Sequence, residues 1–194
     1  MPREGKVIVI SGPSGAGKTS ICEALLKADP TMVWSVSATT RPPRGDEQSG
    51  RSYEFIDRAE FERRRAAGEF LETAEYVGHL YGTPLRPVLD AIRSGRDVLM
   101  EIDVQGGYQV SRKMPESIRF FVLPPDMESL KARLAGRRTE SAEQLQRRLA
   151  KADGEIGFAR DCGCYQHFVV NDVLDETVAE IREIVRREKQ SGEW

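Results

Sequence analysis

A glycine-rich turn directly after an apolar run constrains the fold of this chain more than any other feature. The apolar run is Val7-Ile-Val-Ile10, and the turn is Gly12-Pro-Ser-Gly-Ala-Gly-Lys-Thr19, which matches the pattern G-x-x-x-x-G-K-[ST]. The run predicts a buried strand, and residues 19–28 predict a helix whose N-terminus points back at the turn. Backbone N–H groups and the helix dipole then favour an anion there, while Lys18 adds a charge and Thr19 a hydroxyl for Mg²⁺.

This turn predicts a nucleoside triphosphate as ligand, without indicating what happens to the phosphates. A chance match is the alternative, and the strand, lysine, threonine and helix in their proper places argue against it. The residues expected to contact the triphosphate are Gly12, Pro13, Ser14, Gly15, Ala16, Gly17, Lys18 and Thr19.

Composition limits the classes of protein to which the chain can belong. Its 194 residues, 39% hydrophobic and 31% charged, suit one globular domain with a sizeable core. The net charge of −2 gives no overall field that would attract nucleic acid or a membrane surface. No apolar run approaches the roughly 20 residues of a membrane span, and the first strand follows too closely for a signal peptide. We therefore expect a cytoplasmic protein with no nucleic acid and no membrane partner.

The cysteines and histidines do not predict a metal site. The three cysteines are Cys22, Cys162 and Cys164, and the two histidines lie far apart in the sequence. Cys162-Gly-Cys164 could form a redox or metal pair, but no second pair accompanies it. We expect ordinary reduced thiols.

Apolar runs alternate with helical patterns along most of the chain. Buried strands are predicted at residues 6–11, 97–102, 118–123 and 167–170. Helices are predicted at residues 19–28, 84–94, 104–113, 126–136 and 174–189. This alternation is typical of an α/β fold in which helices cover both faces of a parallel sheet, with ligands bound at the carboxyl ends of the strands.

Two stretches interrupt this alternation. Residues 35–83 are polar with short alternating runs and predict an inserted lobe of mixed β structure, whereas residues 127–158 are charged and predict a helical lid over the phosphates. The run Arg63-Arg-Arg65 in the lobe could bind RNA, but the low net charge favours a solvated helix face. The core of a single domain spanning 4–187 would comprise residues 4–34, 84–126 and 159–187.

Two arginines in the predicted lobe indicate a second phosphate site. Arg41 and Arg44 lie three residues apart in Thr39-Thr-Arg-Pro-Pro-Arg44, and Tyr53 follows. The two prolines stiffen the backbone, which lowers the entropy lost when both guanidinium groups close on one ligand. Guanidinium groups grip phosphate bidentately, and a tyrosine hydroxyl can add a further hydrogen bond.

Glu72, followed by Tyr81-Gly-Thr83, indicates which base such a ligand could carry. The two oxygens of a carboxylate match the N1–H and 2-amino donors of guanine, whereas adenine offers an acceptor at N1. A buried carboxylate would therefore separate the two bases by several kcal/mol, since a mismatch leaves polar groups unpaired. Taken alone, Glu72 would be expected to be a surface acid.

Several segments together closely resemble guanylate kinases, and the resemblance runs over residues 6–187 with the motifs in the expected order. It implies ATP-dependent conversion of GMP to GDP with Mg²⁺, on a core that carries a GMP-binding lobe and a lid. ATP and GMP would be the partners, and the chain gives no indication of its oligomeric state. The segments are Ser37-Ala-Thr-Thr-Arg-Pro-Pro-Arg-Gly-Asp-Glu-Gln-Ser-Gly-Arg-Ser-Tyr-Glu-Phe55, Glu69-Phe-Leu-Glu72, Tyr81-Gly-Thr83, Glu101-Ile-Asp-Val-Gln-Gly106 and Val170-Asn-Asp172.

The resemblance also implies roles for single residues in the GMP site. The phosphate of GMP is assigned to Arg41, Arg44, Tyr53 and Tyr81. The guanine or its immediate surroundings are assigned to Ser37, Glu72, Thr83 and Glu101. Glu101 and Asp103 lie two apart at the end of a predicted strand and would project to one face, with Asp103 in the Mg²⁺–phosphate region.

On the ATP side, Thr19 is the expected Mg²⁺ ligand, with contact from Asp103 through a water molecule as an option. Asn171 resembles the adenine-side contact of the family, and a plain helix cap is the alternative. The residues expected to act in catalysis are Lys18, Arg41 and three lid arginines, Arg133, Arg137 and Arg148.

The chain departs from the family pattern at Arg138, where glycine is usual, so the assignment to Arg137 or Arg138 stays open. Two rival functions also remain at this point. One is the catalytically inactive guanylate-kinase-like module of membrane-associated scaffolds, which the intact loop and Ser37 disfavour. The other is a P-loop kinase for a phosphorylated sugar, which would have no use for a carboxylate that matches guanine.

Overall fold

The structure is a computed structural model, and it describes residues 4–50, 53–135 and 141–191. Its strands, in chain order, are β1 Val7–Ser11, β2 Val33–Trp34, β3 Ala38–Thr39, β4 Glu54–Phe55, β5 Phe70–Tyr76, β6 His79–Pro84, β7 Val98–Glu101, β8 Ile118–Leu123 and β9 His167–Val170. Its helices are α1 Lys18–Ala28, α2 Arg58–Ala66, α3 Leu85–Arg93, α4 Val104–Lys113, α5 Met127–Ala135, α6 Ala142–Asp161 and α7 Leu174–Ser191.

The core is a five-stranded sheet in the order β2-β7-β1-β8-β9, with every neighbouring pair parallel. The four strands predicted from the sequence are confirmed. The fifth, β2, was not predicted, because a segment of two residues is too short to show a pattern. Val33 and Trp34 join the sheet by pairing with Val98 and Leu99 of β7.

Helices cover both faces of this sheet, as predicted, because successive side chains of β1 point to opposite sides. Ile8 and Ile10 are fully buried in an apolar cluster that includes Ile21 of α1 and Ile181 of α7. Val9 lies on the other face, in a cluster formed with side chains of α3 and α4. A strand that is buried on both faces reads as a continuous apolar run, which is what the sequence shows at this point.

The predicted inserted lobe contains a second, mixed sheet in the order β4-β3-β6-β5. The β3–β4 pair is parallel, whereas β3–β6 and β5–β6 are antiparallel. Helix α2 packs on this sheet through Phe61, whose ring stacks on Phe70 with centroids 4.6 Å apart. The three arginines of α2 pair with acidic neighbours: Arg63 with Glu60 and Glu69, Arg64 with Glu54 and Glu69, and Arg65 with Glu62.

The predicted lid contains α5 and most of α6. Leu130 and Leu134 of α5 pack against Ala152 of α6. Helix α6 begins with a capping box, in which Ser141 and Gln144 exchange side-chain and backbone hydrogen bonds. Arg137 and Arg138 lie outside the described residues.

The expectation of reduced thiols is wrong for two of the three cysteines, because Cys162 and Cys164 form a disulfide. Cys162 caps the end of α6, and Gly163 follows with a φ of 60°, so the chain turns back on itself. The turn brings the two Cα atoms to 5.2 Å, within the range that a disulfide requires. Cys22 is a free, buried cysteine, and burial raises the pKa of its thiol.

Where the chain is described, no helix combines the length and the apolar character needed to cross a membrane.

The contact between α4 and Tyr165 leaves no room for a side chain at Gly107, because a Cβ there would overlap the Tyr165 hydroxyl. We expect Gly107→Ala to reduce the free energy of unfolding by roughly 1–3 kcal/mol through overpacking. The matched control is Gly154→Ala in α6, where a Cβ meets nothing within 4 Å. That substitution is expected to stabilise the protein by roughly 0.5–1 kcal/mol, since alanine favours helix. Urea unfolding of both variants tests this, and a Gly107→Ala protein as stable as the parent would contradict it.

Candidate active site

The glycine-rich turn connects β1 to α1 at the carboxyl edge of the core sheet. Gly15 and Gly17 have φ values of 89° and 91°, a backbone conformation that residues with a Cβ rarely adopt. Gly17 is also the N-cap of α1, and since it has no side chain, the first N–H groups of the helix are left to an external ligand. The turn therefore has the geometry of a phosphate-binding loop.

Lys18 folds back over this loop. Its Nζ donates hydrogen bonds to the carbonyl oxygens of Gly12 and Pro13, at 2.7 and 3.1 Å. Burial lowers the pKa of Lys18, while the negative charges of Glu101 and Glu155 act in the opposite direction. The ammonium group is thus held at the mouth of the loop, where phosphate oxygens would meet it.

Asn171, at the end of β9, supports the loop from inside the protein. Its side chain is 6% exposed; Nδ2 donates to the carbonyl oxygen of Ala16 at 2.8 Å, and Oδ1 accepts from the Thr177 hydroxyl at 3.3 Å. A Cβ on Gly17 would overlap Nδ2. The helix-cap alternative does not hold, because α7 begins only at Leu174. Contact with adenine stays a prediction.

Glu101, and not Asp103, lies beside the threonine that is expected to bind Mg²⁺. The Thr19 hydroxyl donates to Glu101 Oε1 at 2.9 Å. That Glu101 and Asp103 project to one face stays a prediction, and both carboxylates lie near enough to Lys18 to oppose the lowering of its pKa by burial. Asp103 is also the N-cap of α4, and its Oδ1 accepts from the Gly106 N–H at 2.8 Å.

Hard oxygen donors beside the loop fit Mg²⁺, which prefers oxygen ligands and keeps several waters. Thr19 and Glu101 supply such oxygens here. In the described parts of the chain, no group of three or more His, Cys, Asp or Glu residues could hold a metal ion. A metal at this place would therefore depend on the phosphates of a bound nucleotide for most of its ligands.

Two of the predicted lid arginines, on different helices, contact the loop or the residue that supports it. Arg133 of α5 donates to the carbonyl oxygen of Asn171 at 2.9 Å, and Arg148 of α6 donates to the Ser14 hydroxyl at 2.6 Å. The third, Arg137, falls in the part of the chain that is not described. The structure thus brings Arg148 of α6 to the phosphate-binding loop and Arg133 of α5 to Asn171, the residue that supports the loop.

In the inserted lobe, Glu72 is a buried acid and not a surface one. It is 3% exposed on β5, opposite Thr83 of β6, whose hydroxyl donates to Glu72 Oε1 at 2.7 Å. Burial raises the pKa of Glu72 to about 7, the nearby charge of Asp103 adds to this, and the Thr83 hydrogen bond opposes it. A Cβ on Gly106 would come within 2.9 Å of the second oxygen, so the start of α4 lies close against it.

The aromatic and basic residues predicted to bind a phosphate also come together. Arg41 is 6% exposed, and its guanidinium carbon lies 5.3 Å from the centre of the Tyr53 ring. The Tyr53 and Tyr81 rings are 6.0 Å apart in an edge-to-face arrangement. Arg44 is exposed at the far end of the turn. Ser37, just before β3, is half-buried, and its carbonyl oxygen accepts from the Glu54 N–H at 2.9 Å.

Sequence reasoning missed several residues that shape this site. Gln109 of α4 exchanges two hydrogen bonds with the backbone of Thr73, at 2.8 and 3.1 Å, and so fixes β5 to the core. Glu155 of α6 pairs with Lys151 at 3.6 Å, and Lys151 lies 4.9 Å from the ring centre of Tyr76 in the lobe. The spacing of Lys151 and Glu155 indicates only an i,i+4 pair on a helix surface. Nothing in the sequence indicates the contact of Lys151 with Tyr76.

Glu47 is a further missed residue, since its carboxylate binds the Arg41 guanidinium. Arg41 and Glu47 lie close together in the sequence, but the sequence does not show that Glu47, and not its exposed neighbour Asp46, is the partner of Arg41.

Comparison with known proteins identifies relatives of the whole chain. The family model described as guanylate kinase matches residues 4–188. The guanylate kinase of Rubrobacter xylanophilus is 47% identical over 191 residues, 98% of each chain, and that of Symbiobacterium thermophilum is 47% identical over 96% of this chain and 87% of its own. A crystal structure of guanylate kinase from Anaplasma phagocytophilum, 34% identical, superposes with a TM-score of 0.76 over 96% of this chain and 87% of its own. The chain therefore belongs to the guanylate kinase family.

Proposed function

We propose that this chain transfers the γ-phosphoryl group of ATP to GMP and releases ADP and GDP. The observation that carries the proposal is Glu72, a buried carboxylate in the lobe that receives one side-chain hydrogen bond, from Thr83. A buried acid of this kind is costly unless a ligand supplies further donors, and guanine has two adjacent ones. Family membership gives the same reaction independently.

On the donor side, the loop amides and Lys18 would hold the phosphates of ATP, and Asn171 would keep the loop in its binding conformation. Thr19 and Glu101 would hold Mg²⁺ beside the phosphates. When bound, this ion neutralises the charge that develops on the transferred phosphoryl group.

On the acceptor side, Arg41, Arg44, Tyr53 and Tyr81 would bind the phosphate of GMP, while Glu72 and Thr83 would bind its base. Ser37 lies at the start of the same sheet, and Asp103 lies close enough to influence the charge of Glu72. The nucleophile is a phosphate oxygen that is already anionic at neutral pH, so no general base is needed. Catalysis then consists of positioning the two nucleotides and neutralising charge.

The lid arginines would cover the migrating group. Arg133 and Arg148 already contact the loop or its support, and Arg137 would join them from the segment between α5 and α6. Covering the site when both nucleotides are bound also excludes water, which would otherwise compete with GMP for the phosphoryl group. The division into a core, a GMP-binding lobe at 35–83 and a lid at 127–158 belongs to this proposal, as does a cytoplasmic location.

A panel of acceptors tests the substrate, with ADP release from ATP as readout. We expect turnover with GMP and little with AMP, UMP or ribose 5-phosphate; dGMP is included because no described contact concerns the 2′-hydroxyl. Preference for ribose 5-phosphate would favour a sugar-phosphate kinase. Absence of ATP–Mg²⁺ binding in calorimetry would favour the inactive interaction module.

The base-recognition claim predicts a selective effect of Glu72→Gln. The amide presents a donor where guanine also presents donors, so we expect GMP affinity to fall about 100-fold, while ATP affinity stays within about twofold. Glu75→Gln, on the same strand but exposed, is the matched control and should change neither. Titration calorimetry measures both ligands. Equal losses of affinity for GMP and ATP would contradict the proposal that Glu72 recognises the base.

The raised pKa of Glu72 predicts a pH dependence of GMP binding. Only the ionised carboxylate accepts from guanine, so affinity is retained above the pKa of about 7 and lost as the pH falls through it. We expect GMP affinity to be about tenfold lower at pH 6 than at pH 8, relative to Glu72→Gln, in which only the GMP phosphate still titrates. A ratio that does not change with pH would contradict the assignment.

The position of Asn171 predicts that it acts on the loop and not on the base of ATP. We expect Asn171→Ala to weaken ATP and inorganic tripolyphosphate, both as Mg²⁺ complexes, by the same factor of about five to ten, because the loop loses a buried hydrogen bond. Asp172→Asn, at the exposed neighbouring position, is the control. A loss confined to ATP would instead support the adenine contact that the family resemblance implies.

A further inference from the structure

The carboxylate of Glu47 binds both ends of the turn that carries the two phosphate-binding arginines. Its Oε1 accepts from Arg41 Nη2 at 2.9 Å, and its Oε2 accepts from Arg41 Nη1 at 2.9 Å and from the Arg44 backbone N–H at 2.8 Å. The Glu47 N–H in turn donates to the Arg44 carbonyl oxygen at 3.1 Å. We propose that Glu47 is a positioning residue, which orients Arg41 so that one edge of its guanidinium faces the phosphate of GMP.

The donors of Arg41 can be counted, because a guanidinium has five N–H groups in a fixed planar arrangement. Nη1 uses its two on Glu47 and on the Pro42 carbonyl oxygen, the latter at 2.8 Å, and Nη2 uses one on Glu47. Among the hydrogen bonds of the described residues, these leave the Nε–H and the second Nη2–H, which point from the same edge. These two parallel donors match two oxygens of a phosphate.

Tyr53 and Tyr81 lie near the guanidinium of Arg41. The Tyr53 ring packs beside the guanidinium, and the hydrogen-bonded Glu47 and the nearby Tyr81 raise the pKa of Arg41. Tyr81 is one of the residues assigned to the GMP phosphate, so Arg41 lies beside the place where the proposed ligand would bind. Glu47 accordingly binds the Nη1–Nη2 edge of Arg41 and leaves the adjacent Nε–Nη2 edge for the phosphate.

The turn itself explains why such a residue is needed. Pro42 and Pro43 carry no backbone N–H, so this part of the turn has few hydrogen bonds of its own. Arg41 is buried, and an unpaired buried charge is strongly unfavourable. In the free protein, Glu47 neutralises the charge of Arg41 and links Arg41 to Arg44 through hydrogen bonds to both residues.

Glu47→Gln tests the role, with Asp46→Asn as a control that makes the same change of charge one residue away on an exposed side chain. In Glu47→Gln one oxygen becomes an NH₂ group that faces the guanidinium, so Arg41 loses its orientation. We expect the KM for GMP to rise about tenfold or more and the thermal midpoint to fall, because Arg41 loses both its orientation and its neutralising partner, with the KM for ATP unchanged. The inhibition constant of guanosine, which lacks the phosphate, should also be unchanged, and Asp46→Asn should resemble the parent throughout.

A fall in the KM for GMP would overturn the inference, because it would show that Glu47 competes with the phosphate. An unchanged KM would overturn it too, as would equal losses for GMP and guanosine, which would indicate general damage to the lobe. The inference rests on the proposed function, and the experiment distinguishes failure of the inference from failure of the proposed function. A parent chain without GMP turnover refutes both, whereas an active parent with an unaffected Glu47→Gln variant refutes only the role of Glu47.

Discussion

The central position of β1 in the core sheet determines where the rest of the site can lie. Its neighbours β7 and β8 run parallel to it, so all three strands deliver their carboxyl ends to one edge. The chain leaves β1 through Gly12, where a Cβ would overlap the carbonyl oxygen of Val122 in β8. From β7, Glu101 reaches Thr19 at the start of α1. The phosphate-binding loop is therefore held by both neighbouring strands as well as by its own glycines.

The inserted lobe contains a buried arginine and a buried glutamate, and the proposed binding of GMP would explain both. Arg41 is neutralised by Glu47 on one edge, whereas Glu72 receives a hydroxyl donor from Thr83 and has its pKa raised from 4.5 to about 7. Because the folded-state pKa is raised, the contribution of Glu72 to stability is fully present below pH 4.5 and is lost as the pH rises through 7. The lobe thus has lower stability at the pH where it would bind guanine best, as is common at functional sites.

Local patterns in the sequence were sufficient for the elements that depend on neighbouring residues. The helix predicted at 104–113 has the same bounds in the structure, and the loop from Gly12 to Thr19 has the expected geometry. Contacts between distant segments could not be read in this way. Asn171 lies 155 positions from Ala16, and only the fold brings them together. The role of Asp103 as N-cap likewise depends on where α4 begins after β7, which the spacing of Glu101 and Asp103 does not indicate.

The central claim is that two adjacent pockets, one for a polyphosphate and one for a guanine nucleotide, exchange a phosphoryl group directly. Inhibition by a bisubstrate analogue, adenosine and guanosine joined through a five-phosphate bridge, tests this most directly. The arrangement of the loop, Arg41 and Glu72 predicts inhibition that is competitive against both ATP and GMP, since one molecule fills both pockets. Competition against only one of the two nucleotides would show that the pockets do not adjoin, and would contradict the account.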